Sequence, residues 1–416
     1  MPNAPPIVQA PIAGGLRRGS EPPLRLLPAS PELANSPAWR RDPWKLFFPL
    51  GMLLAWAGVL PWFLFGIGAT TSYLSIFHSI VQVQGFLICF ALGFLFTFLP
   101  RRTGTPPPSA LEMIVCLVAP VALTFFALQE RWALSQLCWL LMLGTLVRFA
   151  ISRVRRARAR NQIPPAFLWV ALGLLWGVAG SVLTGVGASL GEEWMWLHEA
   201  GRTLVVQGVF TGLVLGTGAF LLPAITRGTD PSRVLAGPAY RNSLLRHALG
   251  GALWTAAAFL EPLVDTRLAF ALRALVTLAV VVGTLQLWRL PSMPGLNRRL
   301  VWIAGWMLPL GNLVVAFDPG LRRTGLHVVF IGCFALLVLS VGCHVSLSHG
   351  GRPSLLSTRP WQLWALAGLL LLALSARACI DLFPERGLVW FWLAAGSFLT
   401  ATLCWATLAL LPQRRT

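Results

Sequence analysis

Six histidines are spread over the 416 residues, and their places relative to the apolar runs decide what chemistry each can do. His78 opens the run 77–100, His198 precedes a second run and His327 opens a third, whereas His247, His344 and His349 fall toward the opposite ends of theirs. His327 and His349 share a helical face, but the rise of 1.5 Å per residue sets them about 33 Å apart, too far to ligate one metal. His78 and His327 open different helices at similar depth, an arrangement able to hold a haem iron between two imidazoles. Beneath His78, the residues Gln82, Gly85, Cys89 and Gly93 fall within about 80° of it on a helical wheel. Lipid has no use for such a stripe, so it is expected to face protein or something bound between helices. A lone histidine at a membrane boundary ordinarily bonds water or a carbonyl. His198, beside Glu192, Glu193 and Glu199, reads that way, as do His344 and His349 near Arg352.

The charged and small residues add a little. Arg202 stands near the start of an apolar run, where an arginine is costly and usually paired; Glu199 or the propionates of a haem would serve. Arg377 is expected to form a boundary ion pair with Asp381 and Glu385, and Arg273 has no evident partner. Gly208, Gly212 and Gly216 form a GxxxGxxxG ridge, a signal for close helix packing. The seven cysteines lie in apolar runs without a CxxC pair and read as packing residues. GxxxxGK[ST], CxxCH and HExxH motifs are absent, which argues against ATP hydrolysis, covalently attached haem and a zincin site. Acidic residues stay at the ends of the apolar runs, unlike those of a proton or ion pump.

These residues must be positioned by membrane helices. The chain is 56% hydrophobic and 11% charged, with 19 tryptophans against two tyrosines. The half-polar alternation of a barrel is missing, so the fold is expected to be all-α and polytopic. Twelve spans are expected, at 46–67, 76–99, 110–128, 131–151, 166–190, 199–224, 243–263, 268–288, 300–317, 325–347, 361–380 and 387–412. Residues 1–43, with ten of the 31 prolines, read as a disordered tail, 44–412 as the transmembrane domain and 413–416 as a short C-terminus. With both termini in the cytoplasm, 25 of the 33 basic residues fall on the cytoplasmic side. The net charge of +19 is then topology, with a lipid bilayer rather than nucleic acid as the partner. Val83-Gln84-Gly85 and Val206-Gln207-Gly208 precede Pro100 and Pro223 by the same interval, with Leu92-Gly93 echoed by Leu215-Gly216. This offset of four spans suggests three parallel four-helix units, although the tenth span lacks a clear copy.

Four stretches together resemble the NnrS family of bacterial inner-membrane proteins. Arg41-Asp42-Pro43-Trp44-Lys45 looks like its leading segment. His78 through Gly104, with Gly85-Phe86, Gly93-Phe94-Leu95-Phe96-Thr97, Pro100 and Thr103-Gly104, is similar to its signature. Gly218 to Arg227 resembles its GGRxxPxFT segment, and His327 to Gly332 with His349-Gly350-Gly351-Arg352-Pro353 resembles its HALxxGxxG…GHTGRP stretch. The resemblance implies a twelve-span protein associated with haem and copper and with the response to nitric oxide. One departure is large: the family signature opens His-Ala-His-Glu-Met, and this chain reads His78-Ser79-Ile80-Val81-Gln82. Isoleucine cannot ligate a metal and valine cannot orient an imidazole. In the tenth span, Cys343-His344 replaces the family's threonine-arginine pair. What carries over is His78, His327 and His349 as ligands, with Gln82 and Arg202 beside a haem held by His78 and His327; copper is implied by the family alone. The alternatives are a small-molecule transporter with a path between the glycine-lined second and sixth spans, or a metal-free assembly partner. No residue is assigned a catalytic role.

Overall fold

The structure is a computed structural model describing residues 31–158, 164–229 and 237–410. Among the described residues there are helices and no strands. The long helices are α1 (Trp44–Gly66), α2 (Ser75–Thr103), α3 (Ala110–Leu128), α4 (Trp132–Arg158), α5 (Pro165–Leu190), α6 (Glu192–Arg227), α7 (Gly237–Leu263), α8 (Thr266–Gly283), α9 (Leu296–Phe317), α10 (Pro319–His349), α11 (Trp361–Leu382) and α12 (Pro384–Ala409). Eleven are long and apolar enough to cross a membrane; α7 carries Arg241, Arg246, His247 and Glu261 and is the exception. The expected spans thus correspond one to one with these helices. α6 and α10 start several residues earlier than expected because their polar leading turns continue the same helical rod, and α8 stops before 288. Of the expected tail, residues 1–30 lie outside the described residues, as do 411–416. Pro31–Ala34 and Ala38–Arg41 are short helices, tied down where Arg40 donates to the Pro108 carbonyl at 2.8 Å and Arg101 meets Asp42 at 2.9 Å.

Three units of four helices close into a ring. In each, the first helix packs on the second and the third on the fourth; the fourth then meets the first helix of the next unit, α4 on α5, α8 on α9 and α12 on α1. The second helices form the centre: the apolar windows of α2, α6 and α10 are 83%, 89% and 78% buried, against 28–50% for the other spans. Each central helix widens into a π-helical stretch at the same register, Val81–Leu87, Leu204–Gly208 and Val328–Ala335. The π stretch of α10 supplies the third copy of the repeat that its amino-acid types conceal. Such wide turns are rare and gather at functional sites.

Glycines set how closely each first helix meets its second. A Cβ on Gly180 would stand 2.6 Å from the Gly201 oxygen, and one on Gly325 2.6 Å from the Gly311 oxygen. Units two and three therefore close glycine on glycine. In unit one the same register pairs Gly58 with His78, so an imidazole stands where the sister units have bare backbone contact. The ridge of α6 likewise faces α5, with Gly212 against Gly173 and the Trp169 carbonyl. Gly212→Val should strain this seam by roughly 1–3 kcal/mol, while Gly368→Val, with nothing within 4 Å, should not. Thermal unfolding of the two purified variants in detergent checks this, and equal midpoints would refute it.

Candidate site at the end of the bundle opposite the termini

Because the helices alternate in direction, His78 and His327 both reach the end of the bundle away from the described termini. His78, on α2 just before the π stretch, bonds the Gly58 carbonyl through Nδ1 at 2.8 Å. His327, directly before the π stretch of α10, bonds the Arg323 carbonyl through Nδ1 at 2.7 Å. A carbonyl can only accept, so Nδ1 carries the proton in both rings and each Nε2 keeps its lone pair. A backbone carbonyl on one ring nitrogen is what commonly orients a metal-ligating histidine.

Between them lies a cation and an aromatic wall. Arg377 of α11 donates from Nε to Nε2 of His327 at 3.3 Å, and its Nη1 is buried without a hydrogen-bond partner. Its charge is within electrostatic reach of both histidines. Trp62 of α1 meets the His78 ring edge-on at 5.7 Å and stacks on Phe391 of α12 at 5.0 Å, while Arg377 lies over Phe391 at 5.8 Å. The site thus straddles the seam where the third unit closes onto the first. Arg377 departs from the expected ion pair: its Nε goes to His327, and Asp381 accepts from the Thr324 backbone and hydroxyl at 3.1 and 2.9 Å.

The other expected site residues lie elsewhere or are already engaged. Gln82 donates from Nε2 to the Ala55 carbonyl at 2.9 Å, in the seam with α1. Gly85, Cys89 and Gly93 continue that seam against Leu54, Gly51 and the Phe47–Phe48 pair, so the stripe below His78 faces protein. Arg202 is half-exposed and pairs with Glu199 at 2.6 Å, the first of its two expected partners. His349 is exposed at the termini end, and His198 bonds the Thr184 carbonyl at 2.9 Å as a lone boundary histidine should.

Two buried polar links escaped sequence reasoning. Arg273, fully buried on α8, meets Glu261 of α7 at 2.6 Å, and Glu261 also accepts from Arg322 of α10 at 2.8 Å. Gln207 of α6 accepts from Arg273 at 3.3 Å. Gln84, at the same register of α2, exchanges bonds with Gln136 of α4 at 3.1 and 3.3 Å, and Gln136 accepts from Ser181 of α5 at 2.8 Å. The glutamine shared by the sequence echo therefore ties each of these two central helices to the fourth helix of its unit. The signal for Arg273 was present in Glu261, an acid at the far end of the preceding run.

These features define a polytopic helical membrane protein with a two-histidine, arginine-flanked site at one end of its bundle. A family model described as NnrS protein matches residues 38–412, and the chain belongs to the NnrS family. No curated protein matches the chain.

Proposed function

We propose that this NnrS-family protein binds haem through His78 and His327 at the outer face of a bacterial inner membrane and serves the response to nitric oxide or nitrosative stress. The observation that carries the reading is the pair of imidazoles whose Nδ1 protons are spent on backbone carbonyls, so that both Nε2 atoms are acceptors at one end of the bundle. That of His78 is open, and that of His327 accepts from Arg377 Nε at 3.3 Å, a bond an iron would have to displace. Haem asks the chain for one or two axial ligands, because the porphyrin supplies the rest. Copper asks for more: no group of three or more His, Cys, Asp or Glu converges among the described residues. The reading is therefore built on haem, and copper stays an implication of the family alone. The unpartnered Nη1 of Arg377 supports it further, since a guanidinium there suits a propionate carboxylate. When bound, haem supplies a redox-active iron to which small diatomic molecules coordinate. The chain's part is to hold the two rings in the required tautomer, to offer Arg377 to an anionic group and to wall one side with Trp62 and Phe391. The excess of basic residues at the termini end supports cytoplasmic termini, and with them an outward-facing site.

The test is absorbance. Protein purified from haem-replete cells is expected to show a Soret band, or to acquire one saturably at one equivalent when titrated with hemin. A colourless protein that leaves hemin unbound would overturn the proposal and favour a metal-free assembly role. For the transport alternative, Gly85 and Gly93 of α2 pack against α1 and Gly212 and Gly216 of α6 against α5, so these glycines line helix seams.

A further inference from the structure

The carbonyl that orients His327 and the amide that Asp381 holds belong to one peptide. His327 donates from Nδ1 to the Arg323 carbonyl at 2.7 Å, and the Thr324 N–H of that same peptide donates to Oδ2 of Asp381 at 3.1 Å. Resonance couples the two halves of a peptide, so an acceptor on the N–H enriches the oxygen, and bonds in such a chain strengthen one another. The acceptor here is a carboxylate, which makes the stronger kind of hydrogen bond. The Thr324 hydroxyl adds a second bond to the same Oδ2 at 2.9 Å and fixes the carboxylate in place. Asp381 stands one helical turn beyond Arg377 on α11, so the two address the leading turn of α10 from one face. Arg377 meets the ring directly at Nε2, at 3.3 Å. His78 has no counterpart: the Gly58 carbonyl that orients it lies within α1, and among the described residues no carboxylate bonds the Val59 amide.

We propose that Asp381 is a positioning residue for His327, acting through the Arg323–Thr324 peptide to draw the Nδ1 proton more strongly and raise the electron density at Nε2. A carboxylate bonded straight to the ring commonly tunes a metal-ligating imidazole; here one peptide is interposed. The use of that density rests on the haem reading, whereas the relay itself does not. It makes the two axial ligands unequal, His327 being the stronger donor, and a stronger donor favours ferric over ferrous iron.

The relay is tested first without haem, by magnetic resonance of the full chain in detergent with isotopically labelled histidine. The Nδ1–H resonances of the two rings are identified by their loss in His78→Ala and His327→Ala. Asp381→Asn, similar in shape but neutral, should move that of His327 upfield and leave that of His78 in place. Asp381 also attracts Arg377; an Arg377 freed to bond Nε2 more strongly would move the resonance downfield, the opposite sign. Thr324→Val should move it downfield, because Oδ2 then serves the peptide N–H alone. Loosened packing would displace it in one direction in both variants. A His327 resonance unmoved or moved downfield in Asp381→Asn, displaced the same way in both variants, or matched by an equal displacement of His78 would each overturn the proposal. Should Asp381→Asn fail to fold, Thr324→Val decides alone: a downfield move supports the relay, and any other result removes it. Added hemin supplies the second measurement. Asp381→Asn is expected to bind ferric haem about 10-fold more weakly, the low end for groups that orient a ligand from behind, and to hold it at a higher reduction potential. A chain that binds no hemin yet shows the two opposite displacements would overturn the haem proposal alone. One that binds hemin with the His327 resonance unmoved in Asp381→Asn would overturn the relay alone.

Discussion

His78→Ala and His327→Ala are each expected to weaken haem binding by at least ~10-fold, about 1.4 kcal/mol, and the double variant to lose the Soret band entirely. Each ring is already oriented by a backbone carbonyl, at 2.8 Å for His78 and 2.7 Å for His327, and the Nε2 of His327 becomes available once Arg377 releases it. Removing either leaves a cavity that added imidazole can re-enter, so the single variants should regain a six-coordinate spectrum when imidazole is supplied. A merely structural loss would not be rescued in this way. His198→Ala and His349→Ala are the matched controls, because His198 is committed to Thr184 and His349 lies at the opposite end. Hemin titration followed in the Soret region measures all five variants. Wild-type affinity in His78→Ala and His327→Ala together would place the haem elsewhere or nowhere.

The second large effect concerns the Glu261 carboxylate, clamped between Arg273 and Arg322. Glu261→Gln removes the negative charge that both guanidinium groups share, in a cluster where Arg273 has no solvent exposure. Breaking a buried pair from one side typically costs about 3–5 kcal/mol, because the surviving charge stays desolvated. The double change Glu261→Leu with Arg273→Leu should recover most of that loss, since a well-packed apolar pair often replaces a buried ion pair at little cost. Arg202→Ala, which breaks the half-exposed pair with Glu199, should change stability by no more than about 1 kcal/mol. Equilibrium unfolding of the full chain in detergent compares the three. A loss in Glu261→Gln no greater than that of Arg202→Ala would show that the clamp contributes little.

Much of this architecture was legible from residue types alone, for a physical reason. Bilayer thickness forces apolar runs of about 20 residues, so twelve helices could be counted directly, and the Val-Gln-Gly echo at an offset of four spans exposed the repeat. The tenth span hid its copy because the repeat is kept in backbone shape: Val328–Ala335 widens as its sisters do without their Val-Gln-Gly triplet. The histidine pair was legible by depth along each helix. Its neighbours Trp62, Phe391 and Arg377 were not, since they come from α1, α12 and α11 and meet only through the ring closure. The stripe under His78 left two readings open, protein or something bound between helices, and α1 is what covers it. Periodicity tells which face is buried without telling what buries it.

The closing contact of α12 on α1 has one more consequence. Since every fourth helix is followed in space by a first helix, the polypeptide behaves as a loop that happens to be severed between α12 and α1. The seam runs through the histidine site, which needs Trp62 and His78 from the first unit and His327, Arg377 and Phe391 from the third. No single unit can therefore form it, and the site exists only where the ring is shut.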